Sequence, residues 1–427
     1  MGTPRDCDRL IDDFDHHDPR FIEDPVAACS EMRERCPVLW SDRHGGYWFV
    51  TRYDDVRAAS KDWERFTSSV PNVSAIPSSH PRTEPDLPIE IDPPEHTRYR
   101  QVISSAFTRH RVAEMKPAVQ AVATALIDRL LDAGQGDLVS DFAVPLSVGT
   151  LAHFMGLPGE DRMLWVEWVR RMYDTSDPAA STRASEDYHA YIDRLVQSRD
   201  PAASGDFVSM LLASEFEGER MSPNEVARFM RVLLIAGHET TAAAMSSTLR
   251  WLAAHPGERA LLADRPEMIP GAIEEFLRLA SPVVLTARNA VGDFEWHGET
   301  IHDGDVVGLA LGAANLDPAA FTDPTSCVLD RSPNPHVTFG FGRHLCVGSH
   351  VARLELTVML EELGARVGEL ELDGPLSWNR NGSVRGLASL PVRIGARRDL
   401  AGAEFERGVE GLNPNPAPLR RHARGVA

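Results

Sequence analysis

The 427 residues carry a formal net charge of −19, with 43% hydrophobic and 25% charged side chains, the balance of an ordinary globular protein. That acidity argues against a nucleic-acid partner, because phosphate binding needs a basic face. No apolar run approaches the ~18 residues of a membrane span, and the opening MGTPRDCDRLIDDFDHHD is too acidic and polar for a signal peptide or an anchor.

A soluble, cytoplasmic protein is therefore expected, with no membrane partner. Residues 1–24 read as a leader, and a first helix follows over Pro25–Cys36 with Asp24 as its cap. Tyr47–Thr51, aromatic and alternating after Gly45-Gly46, reads as a strand, and a short helix begins at Tyr53. Seven prolines fall between Pro71 and Pro94, which forbids regular structure; so long a loop in a compact protein is either disordered or part of a binding site. Helical periodicity then runs through about 95–107, 112–133, 139–155, 160–173, 184–199 and 206–215. The longest helix spans Ser222 to about Ala254 and opens on a capping box, Ser222-Pro223-Asn224-Glu225, with proline at its first position. Another covers about 267–280, residues 283–310 are β-rich, and Leu370–Ile394 holds short strands around turns at Asp373-Gly374 and Asn381-Gly382. The sum is a mainly α protein with a small β portion, one domain over residues 25–396 before a Pro- and Arg-containing tail at 397–427.

The five cysteines (Cys7, Cys29, Cys36, Cys327, Cys346) include no CxxC pair, which argues against a disulfide framework or a zinc site. Chemistry concentrates instead in HVTFGFGRHLCVGSHVARLE, His336–Glu355. Cys346 stands in a glycine-spaced loop just before a helical pattern of Val351, Leu354 and Val358. There, unpaired N–H groups and the positive end of the helix favour the thiolate, the metal-binding form. A bare Gly-x-Cys would be an ordinary free cysteine after a turn. Here Phe339, Gly340, Gly342, His344, Cys346 and Gly348 fill six specified positions in ten residues, and the stretch resembles the heme loop of the cytochrome P450 family.

The resemblance implies the cytochrome P450 fold and a heme b whose iron takes Cys346 as axial thiolate ligand, with Phe339 and Gly348 beside it. Further motifs agree, in the right order. Ala236-Gly237-His238-Glu239-Thr240-Thr241 puts poor helix formers inside the long helix; alone that suggests a kink or a close helix crossing. In the family it is the oxygen-activation motif. Gly237 would make room for dioxygen, Thr240 would hydrogen-bond it as it is reduced, and Glu239 would feed protons through water. Glu275 and Arg278, one turn apart, are a weak signal alone; in the family they form a structural triad with Arg331 that holds the cysteine loop. The segment before that loop departs from the family at Leu316, where arginine is usual, and at Cys327, where phenylalanine is usual. His96, Arg100, Arg288 and His344 take the positions that pair the heme propionates, with Thr286 assisting.

The family further implies a monooxygenase that uses O2 to hydroxylate an apolar small molecule such as a terpenoid, polyketide or alkyl aromatic. Electrons would come from a separate ferredoxin and its NAD(P)H-dependent reductase, since the 33 residues after Ile394 are too few for a reductase domain. Peroxide-driven oxidation, dealkylation or oxidative coupling, and a non-catalytic heme sensor, are the alternatives. The substrate pocket would draw on Val73, Ile76, Leu87 and Ile89, on Ile235, Ala236 and Gly237, on Val283, Val284 and Leu285, and on the turn at Ser383-Val384, with Met172 and Tyr173 in its roof. Arg98, Arg109, Arg111 and Arg343 are either a docking face for the iron–sulfur protein or an ordinary solvated surface.

Overall fold

The long helix, Pro223–Ala254, runs through 32 residues, about 48 Å at 1.5 Å per residue, and the rest of the chain packs around it. Its start is fixed by the expected reciprocal cap: Ser222 Oγ accepts from the Glu225 N–H, while the Glu225 carboxylate accepts from the Ser222 N–H. The computed structural model describes residues 14–74, 76, 83–173, 177–202, 206–216, 218–379 and 384–397. One half of the long helix buries Phe229, Met230 and Leu233 in a core shared with Leu151, Tyr188 and Phe207. The other half buries Met245 and Leu249 in a second core with Leu126, Phe276 and Leu356. The 236–241 motif lies between the two cores, and there Ala236 is exposed in the middle of an otherwise buried helix.

Helices dominate, as the periodicity predicts, with shifts at the ends. Pro178–Gln197 begins six residues earlier than the apolar pattern, because the Asp177 side chain caps it and Pro178 occupies the first helical position. A helix at Pro256–Asp264 and a strand at Val38–Ser41 are present without having been expected. That strand opens a five-stranded sheet in the order Val38–Ser41, Tyr47–Val50, Val306–Leu309, Thr286–Ala290, Phe66–Thr67. All its pairings are antiparallel except that of Tyr47–Val50 with Val306–Leu309. A three-stranded sheet joins Val367–Leu372, Pro391–Ala396 and Gln135–Asp137.

The expected leader is corrected: residues 14–24 belong to the folded domain. Phe14 and His16 are buried, Phe14 packs 4.8 Å from the Phe49 ring, and Pro19–Glu23 forms a helix. Cys36 is disulfide-bonded, although the cysteine pattern pointed away from bridges, while Cys29, Cys327 and Cys346 are free. The turn at Asn381-Gly382, Ser383 and the tail from 398 lie outside the described residues. Among the described residues no helix is long and apolar enough to cross a membrane.

Candidate active site

Cys346 precedes the helix Ser349–Arg366 and is held by its own N–H, which donates to Phe339 O at 2.8 Å. The loop turns on Gly340 and Gly342, both in the left-handed region at φ 73 and 74. At Gly342 a Cβ would stand 2.5 Å from the Ser60 carbonyl oxygen, so only glycine lets the loop lie against the Tyr53–Lys61 helix. Desolvation by the surrounding protein atoms pushes the Cys346 thiol pKa up, although the residue itself is exposed. The expected thiolate-favouring groups are nonetheless there: the N–H groups of Gly348 and Ser349, and the charges of Arg100 and Arg353, all act to lower it.

Four basic side chains stand together beside this loop. The His96 and His344 rings are 4.4 Å apart, centroid to centroid, and the Nε2 atom of each is buried without a hydrogen-bond partner. Burial, then the charges of Arg288, His96 and Arg100, push His344 down to about 2; burial and Arg100 push His96 down to about 4. Arg288 is buried on the strand Thr286–Ala290, donates to Ala287 O, and is pulled down to about 10 by desolvation. Orphaned buried donors and desolvated cations in one place fit a ligand that brings its own anions, and the two carboxylates of a heme do so. The residues present fit that cofactor.

The motif on the long helix has a sharper geometry than its sequence suggests. Thr240 Oγ1 donates to Ala236 O at 2.9 Å, and Ser147 Oγ donates to His238 O at 3.1 Å. At Gly237 a Cβ would meet Leu151 Cδ1 at 2.9 Å. This glycine serves the crossing with the Val144–Met155 helix, and the exposed side of the motif belongs to Ala236. Glu239 and Thr240 are half-buried.

The triad is assembled as expected. Arg278 Nε and Nη2 each donate to a Glu275 carboxylate oxygen at 2.8 Å, and both side chains are fully buried. Arg331 Nε reaches the same carboxylate at 3.0 and 3.1 Å, and the N–H of Val328 adds a fourth donor group. Arg278 and Arg331 then spend their remaining N–H groups on the carbonyls of Asn315, Thr322, Pro324 and Ser326, pinning the segment that leads to the cysteine loop. Two residues escaped the sequence reading. Glu274 accepts from Arg353 Nε and Nη2 at 2.6 and 2.7 Å and lies 3.0 Å from His336 Nε2, while Arg353 stacks 4.5 Å over the Phe339 ring. Glu355, two turns into the helix after Cys346, is buried, and desolvation raises its pKa well above the ordinary carboxylate range. A Glu-Glu pair and a helix-interior glutamate were the only signals, and neither is specific.

The candidate pocket residues divide. Ala236 is exposed, and Val283 is half-buried and paired with Val384 across a β-bridge. Leu87 and Met172 are absorbed into the helical core, and Ile76 packs with Leu285 under the strand pair. Val284 lines a cavity of about 50 Å³ with Phe21, Cys29, Ala313 and Leu316. In the candidate docking face Arg98 lies 3.7 Å from Glu219, Arg109 and Arg343 are exposed and Arg111 is half-buried.

The cytochrome P450 family model matches residues 161–363. The chain is 34% identical over 399 residues to the polyketide biosynthesis cytochrome P450 PksS of Bacillus subtilis, covering 89% of this chain and 98% of that protein. It is 36% identical over 357 residues to the mycinamicin IV hydroxylase/epoxidase of Micromonospora griseorubida, covering 81% and 89%. The solved structure of Bacillus subtilis PksS superposes with a TM-score of 0.81 at 32% identity, covering 90% of this chain and all of that one. At this identity over nearly the whole of both chains, the chain belongs to the cytochrome P450 family and is a monooxygenase of that family.

Proposed function

We propose that this enzyme binds heme b through Cys346 and inserts one atom of O2 into an apolar small molecule, with a polyketide-derived compound as the first class to test. Electrons come from a separate ferredoxin and its NAD(P)H-dependent reductase. The observation that carries the cofactor assignment is the cluster of His96, Arg100, Arg288 and His344 beside Cys346, in which two imidazole Nε2 atoms are buried without a partner and two guanidiniums are desolvated. When bound, the heme supplies dioxygen activation and oxygen insertion, and its thiolate ligand favours O–O cleavage. The chain's own residues hold and time that chemistry. The Glu275 triad fixes the loop that presents the sulfur, and Phe339 is clamped under Arg353. Thr240, its proton spent on Ala236 O, offers an oriented hydroxyl oxygen, and Glu239 one residue before it is the proton source. The polyketide class rests on the polyketide biosynthesis named for PksS.

The test is an optical titration of the ferric protein with polyketide macrolides, terpenoids and alkyl aromatics, followed by turnover with NADPH and a ferredoxin pair. A blue-shifted Soret band with a macrolide, and a product one oxygen atom heavier, are expected. Thr240→Ala should lower product and raise released peroxide. Equal product from Thr240→Ala with hydrogen peroxide as oxidant would replace this reading by peroxide-driven oxidation.

A further inference from the structure

Three imidazoles converge at the start of the folded domain, apart from the machinery above. His16 and His17 come from the segment before the Pro19–Glu23 helix, and His44 from the turn Arg43–Gly45 between the first two strands. One ligand atom of each lies within 4.8 Å of the other two, and the ring centroids are 4.3, 4.9 and 5.6 Å apart. His16 Nε2 and His17 Nε2 both stand 2.8 Å from a single acceptor, the Ile76 carbonyl oxygen, so two rings are aimed at one point.

The outer contacts have the character of a metal site. A ligating histidine has its other ring nitrogen fixed by an oxygen partner. Tyr47 Oη stands 2.7 Å from His16 Nδ1, and Asp15 Oδ1 stands 2.8 Å from His44 Nε2. Asp15 is itself fixed by the His17 N–H at 2.8 Å. His44 adopts φ 55, ψ 29, a left-handed conformation that side chains other than glycine rarely take, although two glycines follow it directly. The turn thus holds a histidine in a conformation its neighbours would adopt more easily.

We propose that His16, His17 and His44 bind one borderline divalent cation, zinc foremost, with the Ile76 carbonyl oxygen as fourth donor. Imidazole nitrogen is the ligand such ions prefer. Tetrahedral zinc at about 2.0–2.1 Å brings its nitrogens to roughly 3.3 Å from one another, so the rings must close by about 1.5 Å. Rotation of exposed His44 and half-buried His17 about fully buried His16 supplies that closure and gives the ion its route from solvent. Through Ile76 the ion ties the N-terminal segment and the strand pair to the proline-rich stretch.

The test uses tag-free, full-length holoprotein stripped with a chelator and titrated calorimetrically with zinc chloride. One zinc per chain with a Kd below ~1 μM is expected. The double variant His17→Ala/His44→Asn, whose asparagine tolerates the left-handed backbone, should bind more than ~10-fold more weakly with an unchanged CO spectrum. A weaker parent Kd, or a double variant within tenfold of the parent, overturns the proposal. Zinc-edge X-ray absorption of the loaded parent needs no variant; fewer than three imidazoles at the ion would also overturn it.

Discussion

Glu274 and Glu275 are neighbours with separate duties, and only one was legible. Glu275 has its first partner one turn away, so Glu-x-x-Arg appears in any reading of the helix. Glu274 meets Arg353 and His336, 79 and 62 residues distant, and no local pattern announces that. Burial works to raise the Glu274 pKa, yet the hydrogen bonds from Arg353 and His336 prevail and hold it at about 2, against an ordinary 4.5. A carboxylate depressed in this way stabilises the fold at pH above its unfolded value, and that contribution is lost as pH falls from about 4.5 towards 2. Glu274→Gln should therefore cost roughly 1–3 kcal/mol near neutral pH, by leaving a partly buried guanidinium short of its acceptor. Denaturation midpoints measured from pH 7 down to 3 should show parent and variant converging in the acid range. A gap that stays constant with pH would mean that packing, not charge, holds Glu274. Gly237 and Val284 mark the opposite limit of legibility. Their neighbours, Leu151 at the one and Phe21 beside the other, come from other elements, and no local pattern announces either.

At the scale of elements, sequence signals were strongest where a cap or a glycine fixes a boundary, as at Ser222. They were weakest for the four-residue strand Val38–Ser41, too short for alternation to register, and for Pro256–Asp264, whose opening proline imitates a break although the first helical position tolerates it. The cysteine loop shows how two glycines of equal appearance differ. Gly340 and Gly342 share a left-handed φ, so alanine at either carries a conformational cost of about 1–2 kcal/mol. At Gly340 the nearest atom to a Cβ is 3.8 Å away; at Gly342 it is a backbone oxygen of the neighbouring helix at 2.5 Å. Gly342→Ala should therefore push the loop off the Tyr53–Lys61 helix and lose most of the bound heme, whereas Gly340→Ala should keep it and lose only stability. The heme-to-protein absorbance ratio of the two purified variants decides this, and equal ratios would show that the loop does not depend on that helix for its position.

At the scale of the whole molecule, the proposed electron donor, an acidic ferredoxin, would meet a chain of net charge −19. Long-range repulsion opposes that encounter, so orientation has to come from local positive charge. We propose that Arg109 and Arg343 supply it. Both are exposed, Arg109 acts on His350 of the helix that follows Cys346, and Arg343 lies three residues before the sulfur and acts on His96. Arg98, which reads as one with them in sequence, is engaged by Glu219 and should contribute nothing. The screening length is about 10 Å at 0.1 M salt and about 3 Å at 1 M, so charge reversal on the docking face must matter most in dilute buffer. In stopped-flow reduction by ferredoxin, Arg109→Glu/Arg343→Glu should be slowed more than ~10-fold at low salt, with the deficit shrinking as salt rises. Arg98→Glu should track the parent throughout. A deficit that is independent of salt would assign the two arginines to the fold of the cysteine loop, and an equal loss in Arg98→Glu would move the docking face to the other end of its helix.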